Sequence, residues 1–268
     1  MGLQFNNLSG LAAQRQVGNA SSRVAKDLEK LSSGLRINRA ADDAAGLAIA
    51  EGLRTSFRQS NQELESLQSG INTVRTADSG LSQQSDAVGR IRELAVQAAN
   101  GTLTDDQRAA INEEAQQLVQ EIDKTAQNTE FNDTRLLDGS TNAIALDAGG
   151  QNQVELNEST STSLGLAGVD LSTQGGAQAA IEALDNAATQ ITSNRAELGA
   201  QENRLAFAAE QRETSAVNEQ EAESRIRDLD IARASIDQAR NQVLLQAGVS
   251  ALVHSNLGSE GARTLLAG

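Results

Sequence analysis

Apolar residues along this chain recur at the spacing of a helix seam, not of a strand. Leu3, Val17, Val24 and Leu31 fall on one seven-residue stripe near the N-terminus, with Ala20 and Leu28 beside it. After a Gly-containing break, Leu64, Leu67, Ile71, Val74, Leu81 and Val88 alternate by three and four, skipping Asp78 and Ser85. A 3.5-residue period keeps one edge of a helix against a partner, so these stripes predict seams of coiled-coil type. The spacing predicts a helix over about 43–100, roughly 85 Å long at 1.5 Å per residue. Asn100-Gly101 ends it, because Gly takes positive φ without cost. A further helix runs from Thr104 to about Asn128, with Thr104 as its cap, Asp105 and Asp106 in its first turn, and Ile111, Ala115, Leu118, Ile122 and Ala126 as its seam.

Residues 129–176 carry no helical period and are punctuated by Gly and Asn. Residues 143–147 and 153–157 flank Gly149-Gly150, the pattern of a small β-hairpin. From Ala177 the helical period returns almost to the end. Leu184, Ile191, Leu198 and Leu205 are spaced by seven, and so are Leu229, Ile236 and Val243. The two stripes are out of phase, and the nearly all-polar tract Glu210–Ser224 between them is the expected changeover. Its counterpart near the N-terminus is the irregular stretch 32–46.

These elements predict a mainly α fold in which long antiparallel helices of coiled-coil type form a hairpin-like rod, with one small β-hairpin region. Three parts are expected: an N-terminal segment 1–45, a helical core 46–217 with the hairpin at about 129–176, and a C-terminal segment 218–268. The first and last would pair with each other. Their stripes are thin and rich in Ala, Ser, Gln and Asn. Such a pair buries little against a backbone entropy of about 1–2 kcal/mol per residue, so the ends are expected to gain order on other copies of the chain.

Composition narrows the chemistry. The 268 residues include no Cys, Pro, Trp or Tyr, one His and four Phe. There is thus no disulfide framework, thiolate metal site or Cys nucleophile, and no multi-His zinc cluster. The absence of Pro suits long helices, since each interior Pro would cost roughly 3 kcal/mol. A net charge of −14 argues against nucleic acid or an anionic membrane as partner. The charge is uneven: residues 1–41 carry six basic and two acidic side chains, residues 101–176 three and 13, and residues 210–237 four and eight. A basic N-terminal arm could therefore meet an acidic C-terminal one. No run of about 18 apolar residues predicts a membrane span. No secretory signal pattern opens the chain, which by itself would point to the cytoplasm.

Longer motifs redirect that reading. Residues Leu31–Ala50 read LSSGLRINRAADDAAGLAIA, followed by GRIRELAVQAANGT at Gly89–Thr102 and EIDKTAQNTEFND at Glu121–Asp133. QENRLAFAAEQ follows at Gln201–Gln211 and SRIRDLDIARASIDQARNQVLLQAGVSAL at Ser224–Leu252. In this order and spacing they resemble bacterial flagellins, in a short form without the variable outer domains inserted near 172–177. The resemblance implies a structural subunit that polymerises into the helical flagellar filament used for swimming. It also implies an extracellular destination reached without a cleaved signal peptide, through the flagellar export apparatus with its chaperone, and contact with the filament cap and hook-junction proteins. The C-terminal residues EGARTLLAG depart from the family's more common Gln/Pro-containing ending. Two rival readings share the coiled-coil ends: a hook–filament junction protein, and a secreted coiled-coil ligand of a host innate immune receptor. No cofactor is expected, and the chain is read as no enzyme.

Candidate sites follow from both sources. Arg90, Leu94 and Gln97 lie three and four apart and share a helix face. The resemblance implies that these residues, with Glu114, form the face on which flagellins meet a vertebrate Toll-like receptor and pack between subunits. Gly89 stands where the family usually has Gln. Leu3, Val17, Val24, Leu31, Leu229, Ile236 and Val243 are the expected assembly seams of the two ends. Ser159, Thr160, Ser161, Thr162 and Ser163 form a polar run read as a loop and a candidate for O-glycosylation. Asp42 and Asp43 read as caps of the long helix. His254 follows Ser250 by four, with no acid in the stretch to orient it as a triad requires. The four Phe are too scattered for a base-stacking platform. Gly34, Gly46 and Gly52 follow no strand and make no phosphate loop.

Overall fold

The structure, a computed structural model, describes residues 8–147, 150 and 152–267, the side chains of 259 and 261–267 excepted. Leu3 lies outside the described residues. Five helices and two small sheets follow in the order α1 (Leu8–Ser33), α2 (Ala44–Ala98), α3 (Asp105–Asn128), β1 (Glu130–Phe131), β2 (Thr134–Arg135), β3 (Ala143–Ala145), β4 (Gln153–Glu155), α4 (Gln174–Arg227) and α5 (Ile231–Ala267). The fold is mainly α, as the periodicity predicts. The chain forms two compact units, one of residues 58–216 and one of residues 1–57 with 217–268.

In the unit 58–216, α2 and α4 run antiparallel. As α2 advances from Glu63 through Arg75 and Asp78 to Arg92, its ion-pair partners on α4 retreat from Arg212 through Glu202 and Arg195 to Asp185. The buried row of α4 is Ala177, Ala180, Leu184, Ala187, Ile191, Asn194, Leu198 and Leu205, a three–four alternation that includes every apolar residue of the expected stripe. On α2 the buried row is Leu67, Val74, Leu81 and Val88, with Gly70, Ala77 and Gln84 between them and Ile91 after them. The skipped seam positions are thus filled by Ala77 and Gln84, one residue before Asp78 and Ser85. Thr104 caps α3 in a capping box: its hydroxyl accepts from the Gln107 N–H at 3.4 Å, and the Gln107 side chain accepts from the Thr104 N–H at 3.0 Å.

The irregular segment holds two hairpins where one is expected. β1 and β2 pair through Glu130↔Arg135 and Phe131↔Thr134. Their connecting residues Asn132 and Asp133 have φ of 51° and 61°, the positive pair of a two-residue hairpin turn that Asn and Asp tolerate. β3 and β4 pair through Ala143↔Glu155, Ile144↔Val154 and Ala145↔Gln153, with Val154 buried in the core. Gly80 of α2 lets the segment cross closely: a Cβ there would lie 2.5 Å from Thr129 Oγ1 and 2.9 Å from Leu137 Cδ1.

In the other unit, α1 and α5 pack antiparallel, so the expected pairing of the two ends forms within one chain. Their inward rows are Gly10, Ala13, Val17, Ala20, Val24, Asp27 and Leu31 against Ala234, Gln238, Asn241, Leu245, Gly248, Leu252 and Ser255. The hydroxyls of Ser9 and Ser255 lie 3.1 Å apart and Asn241 Nδ2 donates to Asp27 at 2.7 Å; neither contact is the ion pair that the opposite charges suggest. The predicted stripe holds on α1 for Val17, Val24 and Leu31, whereas Leu28 is exposed.

The C-terminal stripe needs correction. Helix α4 runs unbroken through Glu210–Ser224, and the break falls later, at residues 228–230. Leu229 therefore sits in the break, and restarting the helix at Ile231 turns Ile236 and Val243 away from α1, leaving them 69% and 64% exposed. The break is held by the N-terminal linker: the Arg36 N–H donates to the Arg227 carbonyl at 2.7 Å and the Leu229 N–H to the Gly34 carbonyl at 2.9 Å. Gly34 supplies the φ of +71° that ends α1. Asp43 caps α2, accepting from the Gly46 N–H at 2.9 Å, while Asp42 accepts from the N–H groups of Arg39 and Asn38.

Candidate assembly and recognition surfaces

Arg90, Gln97 and Glu114 are exposed, on neighbouring helices α2 and α3. Arg90 Nη2 meets Glu114 Oε1 at 3.0 Å and its Nη1 meets Glu93 at 2.9 Å. Glu93, and then Glu114, hold the Arg90 guanidinium above its usual pKa. The fourth expected member, Leu94, does not share this surface. It is 2% exposed and belongs to the hydrophobic core beside Ile91 and Ala95. Spacing puts Leu94 on the same stripe as Arg90. It cannot tell that the core closes over the edge of the stripe where Leu94 lies.

The terminal pair presents a second surface. Ile236, Val243 and Leu257 lie on one seven-residue register, with Ser250 at the position between the last two, on the side of α5 away from α1; Ile231, Val249 and Val253 flank them, and Leu8, Leu11 and Leu28 are exposed on α1. Small residues, Gly10, Ala20 and Gly248, occupy the pair's inner seam, and a Cβ added at Gly248 would stand 3.0 Å from Val17 Cγ2. Val17, Val24, Leu31, Leu245 and Leu252 share that seam, and the remaining large apolar side chains are left outward.

The Ser/Thr run 159–163 is a packed strap and not a bare loop. Ser159 is fully buried and Ser161 is 5% exposed. The Ser159 hydroxyl donates to Gln84 Oε1 at 2.6 Å, while Gln84 Nε2 donates to the carbonyls of Ser159 at 2.8 Å and Ile122 at 3.2 Å. The Ser161 N–H and hydroxyl both donate to Asp123, each at 2.8 Å. Further along, Gln116 Nε2 donates to the Val169 carbonyl and Asn112 accepts from the Leu171 N–H. Only Thr162 of the five has an exposed side chain, Thr160 and Ser163 being half-buried. Polar side chains of α2 and α3 thus do what a ladder would do for an irregular backbone. A Gln at a seam position of α2 is the one sequence signal that points to this.

Arg108 has a structural role that spacing does not reveal. It is 8% exposed, and its Nη1 donates to the carbonyls of Ala98 at 3.3 Å and Asn100 at 3.0 Å, where α2 ends. A cation there satisfies orphan carbonyls and meets the negative end of the helix dipole. The other chemical candidates stay apart: Asp42 and Asp43 engage backbone, and His254 lies exposed on α5. Among the described residues no group of three or more metal-ligating side chains occurs, and no helix is long and apolar enough to cross a membrane.

Comparison with known proteins agrees with this architecture. Residues 5–142 match the model of the bacterial flagellin N-terminal helical region, and residues 181–259 that of the C-terminal helical region. The chain is 38% identical to the flagellar filament 33 kDa core protein of Treponema phagedenis, over 97% of this chain and 98% of that one. It is 39% identical to a flagellin of Halalkalibacterium halodurans, over 94% of each. A solved flagellar hook-associated protein from Vibrio parahaemolyticus is similar in fold alone, with a TM-score of 0.59 at 14% identity, covering 69% of this chain and 99% of that one. Matched at both helical ends and along nearly its whole length, the chain belongs to the bacterial flagellins, and it is a structural subunit of the flagellar filament.

Proposed function

We propose that the paired ends, 1–45 with 218–268, form the inner coiled coil through which subunits join, and that 46–217 is the helical core of the subunit. The observation that supports this most is the second stripe of α5. Ile236, Val243 and Leu257 are exposed in one chain although they repeat at seam spacing. Burying each against a neighbour contributes about 1.5–3 kcal/mol, so many weak contacts make order depend on neighbours and on mass action. The subunit is exported without a cleaved signal, guided by a chaperone, and added at the distal end of an extracellular filament beneath the cap, next to hook-junction proteins. It carries out no catalysis. The exposed Arg90–Glu114 pair with Gln97 supports a second use of the core surface, as a recognition face for a host Toll-like receptor. Leu94 supports that face only from beneath.

The test is electron microscopy of purified protein seeded with sheared filament ends, comparing the native chain with Ile236→Asp/Val243→Asp. The native chain is expected to give long tubes and the variant none, with the helical content and melting of the monomer unchanged because both side chains are exposed. Tubes from the variant would refute the role of the outward stripe. No tubes from the native chain would favour the junction reading.

A further inference from the structure

We propose that Asn100-Gly101 is a self-modifying site, converting Asn100 to aspartate and isoaspartate faster in the folded chain than in the unfolded one. Asn-Gly occurs once in the sequence, in the exposed turn between α2 and α3. Two features beyond the dipeptide point to reaction. The Asn100 side chain is folded forward in an Asx turn: its Oδ1 accepts from the Thr102 N–H at 3.1 Å and from the Thr102 hydroxyl at 3.0 Å. This turn fixes the side-chain amide over the backbone that follows it, with Oδ1 3.1 Å from the Thr102 nitrogen. The Gly101 N–H, for its part, has no acceptor among the described residues, so the nucleophile is not held by a hydrogen bond.

The chemistry closes on these atoms. Hydroxide or water removes the Gly101 N–H proton, and the nitrogen attacks Asn100 Cγ, forming the N–Cγ bond. Negative charge develops on Oδ1, the atom that both Thr102 donors already engage, as donors do in an oxyanion hole. The Cγ–Nδ2 bond then breaks, and the amide leaves as ammonia after taking a proton from solvent. The five-membered imide that results adds one water. Opening at Cγ gives aspartate, and opening at the main-chain carbonyl gives isoaspartate. Glycine at 101 has no Cβ to collide with the closing ring, and its nearest neighbour, Gln174 Nε2, stands 3.6 Å from where a Cβ would be. The isoaspartyl product reroutes the main chain through an added methylene and turns the Asn100 main-chain carbonyl, which Arg108 meets at 3.0 Å, into a free carboxylate. The turn between α2 and α3 thereby carries a record of the age of the subunit.

The test is incubation of the full-length protein at mildly alkaline pH, with peptide mass mapping and enzymatic detection of isoaspartate. Native and urea-unfolded chains are compared with Thr102→Val, which keeps the side-chain shape without the hydroxyl donor, and Thr102→Ser, which restores it. Removing one donor from a dry oxyanion hole costs about a hundredfold or more in rate; at this exposed turn the expected loss in Thr102→Val is about three- to tenfold, recovered in Thr102→Ser. Conversion at Asn100 in the native chain is expected to exceed that in urea by a similar factor. Slower conversion in the native chain than in urea, or an unchanged rate in Thr102→Val, overturns the proposal.

Discussion

Replacing Gln84 with Leu tests whether the strap 156–171 is held from within the core. Gln84 is 1% exposed and makes three hydrogen bonds to Ser159 and Ile122. Leu keeps most of the volume, so the transfer term changes little and the loss is polar. Three hydrogen bonds at a net value of about 1 kcal/mol each come to about 3 kcal/mol. The stranded Ser159 hydroxyl and carbonyl keep the loss from being smaller, since each buried orphan costs about 1–3 kcal/mol. For a chain of this size that corresponds to a fall in Tm of roughly 6–12 °C. Ser159→Ala alone removes one bond, for about 1 kcal/mol. The double variant is expected to fall short of the sum by about 1 kcal/mol, because the shared bond is lost once. Urea unfolding of the monomer followed by circular dichroism measures all four chains. A Gln84→Leu loss below about 0.5 kcal/mol, or strict additivity, would show that water replaces these contacts and that the strap is held elsewhere.

Two further expectations concern α2 and its start. Gly80→Ala is expected to destabilise by about 1–2 kcal/mol, because overpacking against Thr129 and Leu137 outweighs the gain in helix propensity. Gly89→Ala, whose Cβ meets nothing within 4 Å, should stabilise by up to about 1 kcal/mol; equal effects in thermal melts would contradict this. At Asp42, hydrogen bonds from the backbone of Arg39 and then Asn38 hold the carboxyl below its usual pKa. A lowered folded value means stability present above the unfolded pKa of about 3.9 and lost as pH falls through the folded one. The Asp42→Asn chain should therefore lose less stability between neutral pH and strong acid than the native chain; parallel curves of stability against pH would count against the link.

Much of this molecule is legible from one dimension. Leu184, Ile191, Leu198 and Leu205 are core residues because seven-residue spacing on a long helix leaves one stripe to bury, and α4 buries it. Thr104 and Asp43 are caps because a short oxygen before a helix satisfies free N–H groups whatever the rest of the chain does. Family membership is legible too, since it rests on ordered motifs at both ends. The face proposed for recognition is legible only in part. Spacing puts Arg90 and Gln97 on one exposed helix side and the resemblance adds Glu114, but Leu94 is in the core. The hairpin at 130–135 was signalled by Asn132-Asp133, a pair that tolerates two successive positive φ values, and is easily passed over because its strands are two residues long.

The sequence by itself determined most of the helices, the caps Thr104 and Asp43 and most of the seams, because each depends on spacing along a single element, and it determined the family through ordered motifs. Tertiary structure alone decided which side of each helix meets which neighbour. The break at 228–230 resets the phase of α5, so Ile236 and Val243 face away from α1 while Ala234, Asn241 and Gly248 face it. Segments distant in sequence bring Ser159 to Gln84 and Ser161 to Asp123, and turn a polar run into a buried strap. Arg108 reaches back to the end of α2 for the same reason. A period describes one helix. Burial of a polar side chain depends on partners from other segments to satisfy its hydrogen bonds, and only the folded chain supplies them.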